Sequence, residues 1–341
     1  MHNFTGRQQQ DGVVLLMVLW AIVVLTALMF TFAFMTRTDA LSTFSYKESI
    51  TRDYLAEAGI SRAVMEMFYF NLKQEDELLV DYESLWKPDG TVYEGEIPSG
   101  KYQVRISDES GKININVDQS YSLLHNLLLN FEVEEEQIET IIDSIKDWRD
   151  ADDLHQLNGA ESDYYESLTP PYKAKNANFD TIEELLWVKG VTKELFYGAG
   201  DGKALKDYIT VYGSGEGRIK LFTASREVLL AIPGMTEARA DEIIADRSTS
   251  NPDFDTEGLD EEYFIDDNDM SESIYTIEAV GVTSHKIPEY GVRAVVMISS
   301  YDEYRFINWR FRSPVSIKTA LAEDKNSNDI EGQDDEAEDT F

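Results

Sequence analysis

The run Val13 to Met35, VVLLMVLWAIVVLTALMFTFAFM, constrains everything downstream of it, because it holds 23 residues without a charge. As a helix it covers about 34 Å at about 1.5 Å per residue, enough to cross the hydrocarbon core of a bilayer. A short polar leader, MHNFTGRQQQDG, precedes it. In a secretory signal peptide the apolar core comes before a small-residue cleavage site. Here the order is reversed. Gly12 stands before the run, so a cut between Gly12 and Val13 leaves the hydrophobic helix on the mature protein. An ordinary single-span anchor that follows a glycine is the other reading.

The chain continues from this run without a break. Between Thr38 and Phe70, the residues Leu41, Phe44, Tyr54, Leu55, Ala58, Ile60, Ala63, Val64 and Met67 recur at helical spacing, with Arg52, Glu57, Arg62 and Glu66 between them. No Pro interrupts the segment, and Gly59 is its single glycine. The spacing predicts one helix from about Val13 to Phe70, its first half in lipid and its second half packed on a domain. About 300 residues follow the apolar run, enough for two domains or for one domain with an insertion.

Strand signals follow in two groups. Thr91 to Ile97 and Lys101 to Ser107 alternate around Pro98-Ser99-Gly100, which predicts a hairpin. Far downstream, Ile274 to Val282, Val292 to Ser299 and Tyr304 to Phe311 are rich in Ile, Val and Tyr, with turns at His285 to Gly291 and Tyr301-Asp302-Glu303. Two strands alone make a poor sheet, so the two groups are expected to form one sheet split by an insertion of about 109–270. That insertion reads as mostly helical, with short helices at Leu123 to Phe131, Glu134 to Arg149, Ile182 to Trp187, Leu205 to Val211, Arg226 to Ala231 and Glu237 to Arg247. The acid-rich stretches Asp253 to Asp269 and Glu323 to Asp339 read as mobile solvated segments.

Within the insertion, Val188-Lys-Gly-Val-Thr192 and Ile232-Pro-Gly-Met-Thr236 resemble helix-hairpin-helix turns. In nucleic-acid-binding versions glycine amides face a phosphate and nearby Lys or Arg adds charge. Lys193, Arg239 and Arg247 are the bases near these turns, among many acids. The chain carries 65 acids against 30 bases, a formal net charge of -35. Such a surface repels nucleic acid and favours metal cations or basic partners. A helical packing module is the preferred reading, and no nucleic acid is expected. Catalysis finds no support either. His2, His125, His155 and His285 are scattered, Cys is absent, and Gly198-Ala-Gly-Asp-Gly-Lys203 is too short for a phosphate loop and lacks the following Ser or Thr.

The most chemically suggestive stretch runs from Asp147 to Tyr165. Asp150, Asp152 and Glu161 fall at positions 1, 3 and 12 of a twelve-residue loop, which are calcium-ligand positions in an EF-hand. Leu154 and His155 break that pattern at positions 5 and 6. Clustered oxygen donors in a turn suit a hard cation, and a solvated acidic loop capping the next helix fits the spacing equally well.

The ordered set of motifs resembles one family. It comprises the glycine-preceded apolar helix, Gly111-Lys-Ile-Asn-Ile-Asn116, Asp147-Trp148 with its acidic loop, Asn158-Gly-Ala-Glu-Ser-Asp-Tyr-Tyr165, Pro170-Pro171-Tyr172 and the two hairpin turns. Together they resemble the minor pseudopilin K family of type II secretion systems, over roughly Gly12 to Arg312. The resemblance implies an α+β fold: a pilin-like long N-terminal helix packed on an antiparallel sheet, interrupted by a large α-helical insertion domain. The divisions are then 1–12 leader, 13–70 helix, 71–108 and 271–313 pilin-like domain, 109–270 insertion and 314–341 acidic tail. It also implies a class III leader cut after Gly12 by prepilin peptidase, with methylation, and a single-pass protein of the bacterial inner membrane with its body in the periplasm. Calcium is implied in the insertion, with Asp147, Asp150, Asp152, Asp153, Glu161 and Asp163 as candidates. The implied partners are the other minor pseudopilins of a tip complex and the major pseudopilin. Most pilin-like proteins carry Glu at the fifth mature position, where it neutralises the neighbouring subunit's N-terminal amine. Here that position is Met17. An unpartnered carboxylate in the apolar layer is costly, so Met17 suits a subunit at the filament tip. A tip subunit of a type IV pilus is the alternative, followed by a membrane-anchored helix-hairpin-helix protein that binds DNA.

Overall fold

The computed structural model describes residues 8–75, 85–200, 202–213, 216–247, 254–265, 273–283, 290–299, 303–315 and 317. Its first element, α1 (Gln8–Glu75), is a single helix of 68 residues. It contains the predicted helix and extends it by about a turn at each end. From Val13 to Lys47 every residue is exposed, so the apolar run stands clear of the body. Leu41 and Phe44 belong to that free stretch, and Tyr54 faces away from the body. The apolar residues that are buried are Leu55, Ala56, Ile60, Ala63, Val64, Met67, Phe68 and Phe70, with Ala56, Ile60, Ala63 and Met67 repeating at i, i+4 and i+7.

The stripe packs on a five-stranded sheet. β1 (Asp89–Ile97) and β2 (Gly100–Asp108) form the expected hairpin, closed by Pro98 and Ser99. Within the insertion lie β3 (Ile113–Asn114), β4 (Ile209–Thr210), β5 (Ile219–Lys220) and β6 (Phe264–Ile265), and after it come β7 (Ser273–Val282), β8 (Tyr290–Ile298) and β9 (Tyr304–Pro314). The sheet order is β1-β2-β7-β8-β9 and every pairing is antiparallel. The split-sheet expectation therefore holds: β2 and β7 pair from Lys101↔Val282 to Asp108↔Tyr275, although 166 residues lie between Asp108 and Tyr275. Gly59 is what lets the helix lie close. A β-carbon there would sit 2.8 Å from Val104 Cγ2 and 3.0 Å from Tyr102 Cδ2, so glycine's low helix propensity is tolerated for packing.

The insertion contains α2 (Tyr121–Asn130), α3 (Glu135–Arg149), α4 (Ser162–Glu166), α5 (Lys193–Tyr197), α6 (Arg226–Leu229) and α7 (Glu237–Asp246), with a 3-10 segment at Ile182–Trp187. Two expectations are corrected. Leu205 to Val211 is not a helix. A 3-10 turn at Leu205–Asp207 leads into β4, which pairs in parallel with β3, because β-branched Ile209 and Thr210 complete a bridge begun by Ile113. The Asp253 to Asp269 stretch is not wholly solvated. Phe254, Leu259 and Phe264 are buried, and β6 pairs with β5. Three apolar anchors five residues apart hold it down despite its acids. Residues 1–7 of the leader, most of the two downstream turns, and the tail from 318 lie outside the described residues.

Two polar clusters fix the joint between sheet and insertion. Asp108 accepts from Ser110 N at 2.8 Å and Thr223 Oγ1 at 3.2 Å. Glu109 takes Lys112 Nζ at 2.7 Å and the Thr210 hydroxyl. Burial pushes the Asp108 carboxyl up, opposed by Lys220. Burial acts the same way on Glu109, but Lys112 and Thr210 outweigh it and hold that carboxyl low.

Candidate metal centre

The site begins with α3. Ile138, Ile141, Ile145 and Trp148 are buried along one side, which leaves Glu139, Asp143 and Asp147, at i, i+4 and i+8, in line along another. These three carboxylates hold the returning loop. Glu139 Oε2 accepts from Asn158 Nδ2 at 3.2 Å, Asp143 Oδ2 from Asn158 N at 3.1 Å, and Asp147 Oδ1 from Gln156 N at 3.0 Å. Gly159 is required here, since a β-carbon would collide with Asp147 Oδ2. Beneath the loop Trp148 meets Tyr165 edge-on at 5.2 Å, and Tyr165 stacks on Tyr172 of the Pro-Pro-Tyr motif at 5.2 Å. This aromatic floor orders both ends of the loop.

Of the six predicted acids, the fold brings three together. One carboxylate oxygen each of Asp147, Asp150 and Glu161 lies within 4.8 Å of the others. Asp147 and Glu161 are buried, and Asp150 is half-buried. Oxygens that ligate one calcium at about 2.3–2.6 Å are separated by no more than about 5 Å, so the three can share an ion. Both oxygens of Glu161 and Oδ1 of Asp150 are buried without a hydrogen-bond partner. Native proteins rarely leave such atoms unsatisfied, and here they point to a ligand.

Electrostatics agree. Burial, then the charges of Asp147, Asp150 and Asp153, push the Glu161 carboxyl up to about 7. Burial is also the largest influence raising Asp147, with the Asp150 charge adding and the Gln156 amide opposing. Asp150 is raised by burial and then by Asp152. Three carboxyls that resist ionisation together are a site in which a divalent cation reverses the balance.

The other three acids lie outside this cluster. Asp152 Oδ1 accepts from Leu154 N at 2.8 Å, Asp153 is exposed, and Asp163 Oδ1 faces His155 Nε2 at 3.1 Å. Nor does Glu161 cap the following helix, because its side chain makes no capping bond to α4. Sequence reasoning passed over Glu139, Asp143 and Lys189. Asp143 was available from its four-residue spacing to Asp147. Lys189 donates to Asn158 O at 3.1 Å and Gly159 O at 3.0 Å, a contact across 30 residues that no local pattern announces.

The hairpin turns have the expected geometry, with Gly190 at φ +89° and Gly234 at φ +84°. Thr192 and Thr236 cap α5 and α7. Both turns have protein on one side, although Gly234 itself is exposed. Gly190 abuts Ile141, its carbonyl accepts from Gln137 Nε2 at 3.0 Å, and Gly234 lies against Leu259 and Gly258. Arg239 is paired with Asp255, and Arg247 is half-buried and donates to the Leu221 carbonyl. At the other end of the chain, Gly12 and Val13 lie within α1, and Met17 is exposed on it.

Comparison with known proteins bears directly on this region. Residues 108–214 match the family model of type II secretion system protein K. The type II secretion system protein K of Aeromonas hydrophila is 30% identical over 159 residues, covering 41% of this chain and 46% of that protein. That of Pseudomonas aeruginosa is 28% identical over 154 residues, covering 42% and 44%. The putative protein K of Escherichia coli K12 is 23% identical over 200 residues, covering 56% and 61%. The matched segments thus span about half the length of these relatives. Among solved structures, a chain of the GspK-GspI-GspJ complex of the enterotoxigenic Escherichia coli type 2 secretion system superposes with a TM-score of 0.58 at 15% identity, over 81% of this chain and 99% of that one. That likeness establishes the pilin-like α+β fold with its inserted helical domain. Most of the motifs that suggested the resemblance, from Gly111-Lys-Ile-Asn-Ile-Asn116 to Val188-Lys-Gly-Val-Thr192, lie inside the matched domain, and over it the chain is similar to type II secretion system protein K.

Proposed function

We propose that this chain is a minor pseudopilin at the tip of a type II secretion pseudopilus, where it initiates or caps the filament that exports folded proteins across the outer membrane. One observation carries the reading. The protein K domain at 108–214 sits between β2 and β7 of a sheet mounted on a helix long and apolar enough to span a membrane. The relatives are all named as type II secretion proteins, which favours secretion over a type IV pilus. In this reading the chain is a structural subunit rather than an enzyme. The apolar run anchors it in the inner membrane, the body stands in the periplasm, and prepilin peptidase cuts after Gly12. GspI-type and GspJ-type minor pseudopilins are its partners, as in the complex named for its structural neighbour, with the major pseudopilin below them.

Calcium belongs to the same reading. Asp147, Asp150 and Glu161 would hold the ion, with Asp152, Asp153 and Asp163 as outer candidates. When bound, it would supply the positive charge their buried oxygens lack and tie the end of α3 to the start of α4. The deciding experiment is genetic. Deleting the gene should abolish export by the type II pathway, and the full chain should restore it. Intact export combined with lost surface motility would instead select the type IV pilus.

A further inference from the structure

The second face of interest is the flank of the sheet beside α1. The helix lies over β2, β7 and β8, and β9 extends the sheet beyond it. On the α1 side, β9 presents Tyr304, Phe306, Trp309 and Phe311 in unbroken ring contact, with centroids 5.5, 4.9 and 5.9 Å apart. Tyr304 meets Phe68 of α1 at 5.8 Å. Three of these rings stay open to solvent, at 47%, 37% and 53% for Tyr304, Phe306 and Phe311. An aromatic row this open marks an interaction site rather than an ordinary surface.

The row runs into a groove of about 410 Å³ between α1 and the ends of β8 and β9, lined by Arg52, Asp53, Ala56, Tyr290 and Arg312 among others. Among the described residues Arg52 and Arg312 have no ion-pair partner, in a chain of net charge -35. The geometry gives the shape of what fits. From Arg52 to Phe68, α1 advances about 24 Å. From Arg312 back to Tyr304, β9 covers about 26 Å. The row is therefore collinear with α1 and as long as four to five helical turns. A strand added to the edge of β9 would leave the rings uncovered. The two register shifts between β8 and β9 and the three arginines of β9 also oppose it. A helix packed beside α1 at about 8–10 Å covers them.

We propose that this flank seats an amphipathic helix of a second membrane-anchored subunit, with carboxylates at its membrane-proximal end beside Arg52 and Arg312. The end is fixed because Arg52 lies at the side of the body nearest the apolar run. This inference rests on the assembly reading above and adds the surface and the chemistry of its partner.

The test uses the full chain in detergent, mixed in turn with the purified GspI-type and GspJ-type subunits of its own secretion system. A photo-crosslinking amino acid replaces Phe306 or Phe311, and Tyr93 on β1 serves as control. The expected result is crosslinking from both β9 positions, not from β1, to one helical segment bearing Asp or Glu. The double variant Arg52→Glu, Arg312→Glu should weaken binding at least tenfold with an unchanged melting curve, and Glu→Lys in the crosslinked helix should restore it. Complex formation with full affinity in the double variant, or crosslinks only to a strand or to a second copy of this chain, would overturn the surface while leaving the assembly reading intact. No association with either subunit would overturn both.

Discussion

The replacement Glu161→Gln separates a cation site from a buried structural carboxyl. In the metal-free chain the Glu161 carboxyl is pushed from 4.5 to about 7. Its folded pKa lies above its unfolded value, so its contribution is fully present below about pH 4.5 and is lost as pH rises through about 7. A shift of that size corresponds to about 3 kcal/mol against the fold at pH 8. Gln keeps the shape and removes the charge. Metal-free Glu161→Gln should therefore melt higher than the parent at pH 8, by about 6–12 °C for a body of this size, and match it at pH 4.5. Calcium at a hundredfold excess over Kd should return about 2.7 kcal/mol to the parent and little to the variant, closing the gap. The assay is thermal unfolding of the full chain in detergent, followed by tryptophan fluorescence, with Trp148 packed against Tyr165 as a local reporter. A variant that melts lower than the parent by the same amount at both pH values, with and without calcium, would refute the argument.

Four further outcomes follow from the same contacts. Gly159→Ala forces a methyl into Asp147 Oδ2, and should weaken calcium at least tenfold by calorimetric titration. Lys189→Met removes the ammonium that holds the Asn158 and Gly159 carbonyls, and should cost about 1–2 kcal/mol in thermal unfolding. Replacing Gly12 by a bulky residue should block processing, so N-terminal sequencing of assembled protein should find Val13 first in the parent only. Because Met17 suits a subunit with no neighbour beyond it, overproduction should give fewer or shorter filaments by electron microscopy, and long filaments of this chain would contradict it.

Most of the frame was legible because it follows from periodicity. The 23-residue apolar run, the α1 stripe and the alternating strands each repeat often enough to fix element and face. The parts that escaped are those set by single long-range contacts. Leu205 to Val211 has a helical composition, but Ile113 offers Ile209 a parallel bridge that outweighs it. The Asp253 to Asp269 stretch has the charge of a solvated loop, but Phe254, Leu259 and Phe264 bury it. In the site, spacing pointed to Asp150 and Glu161 and the family resemblance added Asp147, but neither gave their roles. Asp150 and Glu161 converge because Asp147 holds Gln156, Asp143 holds Asn158, and Lys189 holds the Asn158 and Gly159 carbonyls, partners that lie up to 31 residues apart.

The place of the insertion explains how one chain carries both bodies. β2 and β7 are hydrogen-bonded neighbours with Asp108 opposite Tyr275, so the chain leaves and re-enters the sheet at one end. The entropy of closing such a loop grows only slowly with its length, and a large domain there costs the sheet little. What must be specified is the joint. Asp108, the last residue of β2, and Glu109, the first past it, are buried and held by Thr223, Lys112 and Thr210. Asn114 and Asn116 then bind the chain at Tyr212, Val211 and Phe179. These bonds join the first and last thirds of the matched 108–214 domain at the sheet. The carboxylate cluster therefore sits on a domain fastened to the sheet by these bonds, and if it holds calcium, the ion should tighten the α3–α4 loop without changing the sheet. Hydrogen exchange with and without calcium tests this: protection should rise across residues 150–166 and stay level in β2 and β7. Equal changes in the sheet would show that the joint transmits what the ion does.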